Sequence, residues 1–358
     1  MPMPIPRDID VFVNPNQGTP GVVVLPAAGF RRAKAEITAW DGFAVTPLRD
    51  MSNWAADAGV ATIRMKDEGS RFGLGSFKSL GGAYAVANLV RDAAARSAGP
   101  ITVTCATDGN HGRSVAWGAR RFGCRCVIFV HEHVAQWRVA AIAAFGADIQ
   151  RVPGTYDDAV RACTEQAERN GWSIASDTSW PGYTEVPRAI MQGYRIMADE
   201  AADQWIGPPP THVFVQGGVG GAAAAVSVHS RARFEPVPKL IVVEPDQAAC
   251  LLASARAGAL TAIPGDLDTV MAGLACGEPS LLAWQELERA AAAFMAIPDE
   301  SASETVRFLM EESIHAGESG VAGLAGCLLA AQNGHTRAML GLTGESRILV
   351  FNTEGATF

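Results

Sequence analysis

His212-Val213-Phe214-Val215-Gln216-Gly217-Gly218-Val219-Gly220-Gly221-Ala222 reads as a β-strand, a glycine loop and the first turn of a helix. Val213, Phe214 and Val215 are the β-branched and aromatic types that suit a strand. The glycines let the backbone turn sharply and come close to a ligand. The unpaired N–H groups and dipole of a helix N-terminus attract an anion, so a phosphate fits there. A tight strand-to-helix turn explains one or two glycines, but Gly217, Gly218, Gly220 and Gly221 crowd into five positions. Gly218-Val219-Gly220-Gly221-Ala222-Ala223 also satisfies the G-x-G-x-x-A pattern of dinucleotide sites, with Glu244 where a ribose-binding acid would end the next strand. The loop alone leaves both ligands open.

Outward from the loop, short β-type runs alternate with helical patterns. Strands are expected at 101–105, 124–130, 148–152, 212–215, 239–243 and 347–352, and helices from His111, over 136–145 and over 222–233. Residues 179–187, with Pro181, Gly182 and Pro187, interrupt the pattern before a long helical segment at 188–204. Pro208-Pro209-Pro210 then marks entry into the next strand, and the Ala-rich runs 222–225 and 290–293 read as close-packed helices. The alternation predicts an α/β protein with two doubly wound, mostly parallel-sheet domains.

The chain has 358 residues, 48% hydrophobic and 18% charged, which is enough to bury full cores. A net charge of −8, with no basic cluster beyond Arg31-Arg32 and Arg120-Arg121, argues against nucleic acid as a partner. The first ten residues are Pro-rich and lack a basic-then-apolar signal. No apolar run approaches the roughly 18 residues that span a bilayer, so no membrane partner and a cytoplasmic location are expected. Seven cysteines at irregular spacing suit a reducing compartment. Neither Cys124-x-Cys126 nor His131-Glu132-His133 has the spacing of a zinc site, and no metal is expected.

Arg71-Phe72-Gly73-Leu74-Gly75-Ser76-Phe77-Lys78-Ser79-Leu80-Gly81-Gly82-Ala83-Tyr84-Ala85 sets one lysine among apolar and small residues just before an amphipathic helix. Burial disfavours an ammonium and lowers its pKa, as Schiff-base chemistry requires. A lone lysine near a helix start is more often a solvated surface residue. The context differs here, because Thr107-Asp108-Gly109-Asn110-His111-Gly112 and the glycine loop also fall between strands and helices, where α/β ligands bind.

These three stretches resemble the fold-type II, tryptophan-synthase-like family of pyridoxal 5'-phosphate (PLP) enzymes. The resemblance implies that Lys78 carries PLP as a Schiff base, that Asn110 contacts its O3', and that Gly217, Gly218, Val219, Gly220 and Gly221 bind its phosphate. The cofactor would lie in a cleft between a large PLP-binding domain, residues 1–78 and 191–358, and a smaller α/β domain, 79–190, able to move. Thr353 stands where relatives place a neutral hydroxyl near the ring nitrogen.

Within the family, the Arg71 and Asp108 stretches, Asp177-Thr178-Ser179-Trp180, Gly182-Tyr183-Thr184-Glu185, residues 271–279, Glu318-Ser319-Gly320 and Thr353-Glu354-Gly355 are similar to the diaminopropionate ammonia-lyase branch. This implies α,β-elimination from 2,3-diaminopropionate, a small amino acid, to pyruvate and ammonia, in a homodimer. Lys78 and Asp108 would act as acid/base groups, Asp177 would join Asp108 in binding the 3-ammonium group, and Ser76 and Thr107 would flank the substrate carboxylate. Gly75, Ser79 and Pro181 depart from that branch. A serine/threonine-type dehydratase of the same fold, or an NAD(P)-dependent oxidoreductase using the G-x-G-x-x-A loop, are the alternatives.

Overall fold

The computed structural model describes residues 9–97, 99–107 and 109–356. Backbone contacts divide them into two units. One takes the chain up to Pro26, Ala44–Ser76 and everything from Arg195; the other takes Ala27–Phe43 and Phe77–Tyr194. The boundaries therefore differ from those expected. Residues 27–43 group with the smaller unit, and so does Lys78.

The strands are β1 (Asp10–Val13), β2 (Leu48–Asp50), β3 (Thr62–Asp67), β4 (Thr102–Ala106), β5 (Arg125–His131), β6 (Asp148–Val152), β7 (Ser173–Ile174), β8 (His212–Gln216), β9 (Lys239–Pro245), β10 (Ala291–Ile297) and β11 (Arg347–Asn352). The helices are α1 (Ala27–Ile37), α2 (Ser52–Asp57), α3 (Lys78–Ala95), α4 (Asn110–Phe122), α5 (Gln136–Ala143), α6 (Tyr156–Asn170), α7 (Glu185–Gln204), α8 (Gly221–Arg233), α9 (Cys250–Ala257), α10 (Leu281–Ala290), α11 (Asp299–Glu311), α12 (Glu318–Gln332) and α13 (Gly334–Leu340).

The larger unit holds a seven-stranded sheet in the order β1-β10-β9-β8-β11-β3-β2. Its five inner strands are parallel, and only the edges β1 and β2 run antiparallel. The smaller unit has the all-parallel sheet β6-β5-β4-β7. Parallel strands are covered on both faces and so read as continuous apolar runs. Every residue of β8 is buried for that reason. The same constraint corrects the expectation of a helix at 290–293. α10 ends at Ala290, and Ala291–Ile297 is a wholly buried strand between β9 and β1, where tertiary burial overrides the helix preference of alanine.

A buried charge network anchors the end of β3. Arg71 forks onto Glu68, through Nε to Oε2 at 2.8 Å and Nη2 to Oε1 at 2.8 Å, and onto Glu200 of α7 at 2.9 and 2.7 Å. Lys66 Nζ donates to Glu200 Oε2 and to the Thr46 carbonyl, each at 2.6 Å. Burial pushes the Lys66 ammonium down, and the neighbouring Glu200 and Glu68 charges partly oppose this. Burial also works against charge on Arg71, but Glu68 and Glu200 outweigh it and raise the guanidinium further. Two cations and two anions cancel. Bidentate geometry satisfies their donors, which is what a buried cluster requires.

Removing one member leaves a charge stranded in a dry site. Arg71→Met should lower the unfolding free energy by about 3–5 kcal/mol, read as an earlier denaturant midpoint. A loss below about 1 kcal/mol, the range of an exposed pair, would contradict the network's role.

Candidate active site

In the smaller unit Lys78 is the first residue of α3. That helix lies close against α7 because Gly81 and Gly193 carry no side chain. A Cβ on Gly193 would run into the Leu80 carbonyl, and one on Gly81 into Tyr194 and Ile190. The Lys78 carbonyl accepts the Ser114 hydroxyl of α4 at 2.7 Å, fixing the helix start from the other side.

Lys78 Nζ donates to Asp177 Oδ2 at 2.5 Å, and the ring centroids of Phe77 and Tyr194 lie 5.6 and 5.8 Å from it. Asp177 follows β7 in a loop pinned by Tyr183, whose hydroxyl donates to Ile174 O at 2.8 Å and accepts Ser176 N at 3.0 Å. Asp177 is thus not a helix cap. His111 Nδ1 stands 3.7 Å from the same carboxylate oxygen, while its Nε2 faces Ala175 O at 2.6 Å. A carbonyl only accepts, so Nε2 carries the proton.

Burial lowers the His111 pKa, with Lys78 acting in the same sense and Asp177 in the opposite one, so the imidazole is neutral at neutral pH. Burial alone would raise the Asp177 carboxyl. Interaction with His111 and with Lys78 overcomes this and holds it well below the usual carboxylate range. The chain has only four lysines. Lys66 is locked in the buried network, Lys239 Nζ bonds Leu340 O at 2.9 Å, and Lys34 lies in the last turn of α1.

Asn110 opens α4. Thr107 serves that loop directly: its hydroxyl oxygen accepts Gly109 N and Gly112 N, each at 3.1 Å, and its own N–H bonds Phe129 O. Its backbone N–H is therefore spent on the sheet and not free for a substrate carboxylate. Asp108, expected to be catalytic, lies outside the described residues.

In the larger unit the glycine loop joins β8 to α8. Gly220 is the N-cap of α8 with φ +93°, a left-handed conformation that favours glycine, and no side chain caps the helix. A Cβ at Gly217 would come within 2.7 Å of Leu251 and Val242 side chains. Both Cys250 and Cys276, free thiols, flank Gly218: Cys250 Sγ is 3.7 Å from its carbonyl, and a Cβ there would come within 3.1 Å of Cys276 Sγ. Ser76 is buried and bridges Glu354, next to Thr353 at the end of β11. Glu318 sits in the first turn of α12, where a carboxylate complements the helix dipole.

Glu244 removes the dinucleotide alternative. It is buried, and its two oxygens accept Leu251 N at 2.7 Å and Leu252 N at 2.8 Å, capping α9. Burial outweighs these two donors and pushes the carboxyl up to about 8. A ribose-binding acid must instead be open and ionised.

Residues 39–353 match the family described as pyridoxal-phosphate dependent enzyme. The chain belongs to this PLP-dependent family. It is 40% identical over 345 residues to the diaminopropionate ammonia-lyase of Escherichia coli (strain K12), covering 88% of this chain and 85% of the relative. Solved structures of the Escherichia coli diaminopropionate ammonia-lyase superpose closely. The complex with D-serine gives a TM-score of 0.90 at 34% identity, over 97% of this chain and 94% of that one. The complex with an aminoacrylate-PLP azomethine reaction intermediate gives 0.89 at 35%, over 97% and 94%.

The residues present fit PLP. An uncapped helix N-terminus with glycines in front suits its phosphate, and Lys78 is an amine held against apolar rings and one carboxylate. The sequence does not flag Tyr194, which lies 116 positions beyond Lys78 with no local motif.

The elevated Glu244 pKa gives a pH-dependent stability. The folded state keeps the proton up to about 8 and the unfolded chain releases it near 4.5, so stability falls as pH rises across that interval. Glu244→Gln should flatten this part of the profile of unfolding midpoint against pH, and an unchanged slope would contradict the assignment.

Proposed function

We propose that this enzyme removes the 3-amino group of 2,3-diaminopropionate by α,β-elimination, yielding pyruvate and ammonia. The observation that carries the reading is the ionised Asp177 carboxylate, 2.5 Å from the Lys78 amine. A substrate with a second ammonium group beyond its α-carbon needs an anion beside the reacting lysine. The hydroxyl leaving group of serine or threonine does not. The names of the Escherichia coli relatives support the same choice.

Bound PLP supplies the electron sink that acidifies the Cα–H bond. The rest falls to the chain. Lys78 holds the cofactor and then takes the Cα proton with its amine. Asp177 orients the 3-ammonium group electrostatically, and Asp108 is the second acid/base. Asn110 would contact the cofactor at O3', the N–H groups of Gly217, Gly218, Val219, Gly220 and Gly221 would hold its phosphate, and Thr353 would meet its ring nitrogen. Ser76 flanks the substrate carboxylate, and Thr107 positions the loop that carries Asp108 and Asn110.

Among the described residues no helix is long and apolar enough to cross a membrane. With seven unbridged cysteines, this supports a cytoplasmic setting, and a homodimer, the habit of the family, completes the reading.

Purified holoenzyme should release pyruvate and ammonia from diaminopropionate faster than pyruvate from serine, with both enantiomers of each assayed. Turnover confined to serine and threonine would replace this reading with a dehydratase. Asp108→Asn should retain PLP yet lose about 10²–10⁴ in turnover of diaminopropionate, unequally for the two enantiomers. A loss of only a few-fold on both makes Asp108 a turn residue.

A further inference from the structure

Gln216 closes β8 and is 97% buried, with its amide directed at the end of the neighbouring strand β11. Its Nε2 lies 2.7 Å from Gly320 O, 3.3 Å from Phe351 O and 2.6 Å from Thr353 Oγ1. Both carbonyls only accept, so the nitrogen end must face them; a flipped amide would set oxygen against oxygen. The amide orientation is thereby determined by chemistry. The amide has two hydrogens, and its two short contacts, Gly320 O and Thr353 Oγ1, take them, with Phe351 O at 3.3 Å a long third neighbour; at Thr353 the amide donates and the hydroxyl oxygen accepts.

The hydroxyl hydrogen then needs another acceptor, because a buried unpaired donor is costly. Gly320 O already receives both Gln216 Nε2 and, at 3.2 Å, Thr353 N, which fills its two lone pairs. The hydrogen is left to point away from this cluster.

We propose that Gln216 is a positioning residue that sets the polarity of Thr353, making its hydroxyl a hydrogen-bond donor toward the ring nitrogen of PLP. The proposal rests on the reading above that Thr353 meets that nitrogen. A neutral ring nitrogen offers a lone pair to such a donor, whereas a protonated one brings a second hydrogen to the same contact. Gln216 therefore selects the neutral ring, a weaker electron sink than a pyridinium. Negative charge developed at Cα is then relieved by expelling the β-substituent rather than held for return of the proton, which biases the enzyme toward elimination over α-proton exchange.

Holoenzyme reconstituted with PLP labelled with ¹⁵N in its ring reports this directly, since the ¹⁵N chemical shift separates a protonated, a hydrogen-bonded and a free ring nitrogen. Wild type should show a neutral, hydrogen-bonded signal. Gln216→Met keeps the side-chain length without the donor, and should move the signal toward the value given by Thr353→Val, which has no hydroxyl. It should also raise the ratio of α-proton exchange to ammonia release. Gln216→Asn, which keeps an amide but withdraws it by one methylene, should shift the signal in the same direction and serves if the methionine variant does not fold. A signal moved by Thr353→Val but by neither Gln216 variant, or a protonated nitrogen in wild type, overturns the proposal while leaving Thr353 at the ring. A signal that none of the variants moves overturns the placement of Thr353 itself.

Discussion

The Arg71 guanidinium is gripped by two carboxylates at once, and the turn that follows β3 depends on that grip. Glu68 belongs to the same turn and Glu200 to α7, while Lys66 and Thr46 tie in the end of β3 and the segment before β2. With Arg71 fixed, the backbone can hold Phe72 at φ +52°, a left-handed conformation that costs a bulky residue energy. Gly75 O then bonds Gly355 N at 2.8 Å, and Ser76 pairs with Glu354, so the segment is fastened at both ends before Phe77 and Lys78 begin α3. Buried ion clusters seldom add net stability over an apolar core, but losing one member strands a charge.

The electrostatics around Lys78 follow from what burial permits. Asp177 stays ionised inside the smaller unit because His111 and the Lys78 amine, 2.5 Å away, together oppose the effect of burial. His111 keeps its proton on the far nitrogen, where Ala175 O accepts it. One carboxylate and one amine thus face each other at hydrogen-bond distance.

How much of this was legible in the sequence depended on whether the cause was local. Strand ends followed by Gly217 to Gly221, by the Asn110 turn and by Lys78 were visible because loop chemistry sits in consecutive residues, and β6 and β11 fell at the expected positions. Ala291–Ala293 misled because alanine favours helix locally, while the strand is imposed by neighbours on both sides. Residues 27–43 gave no sign of their unit, since their contacts, such as Trp40 with Trp117 and Phe122, are made far along the chain. Glu244 looked like a ribose ligand from spacing alone; only its bonds to Leu251 and Leu252 show a helix cap. Tyr194 and Gln216 belong to the same class: their importance lies in partners more than 100 positions away.

Lys78, among four lysines, is the residue proposed to bond the cofactor. Reducing the holoenzyme with borohydride, digesting it and locating the pyridoxyl mass by peptide mass spectrometry tests it most directly. The label is expected on the peptide containing Lys78 alone. A label on the peptide of Lys34, Lys66 or Lys239, with Lys78 unmodified, would contradict it.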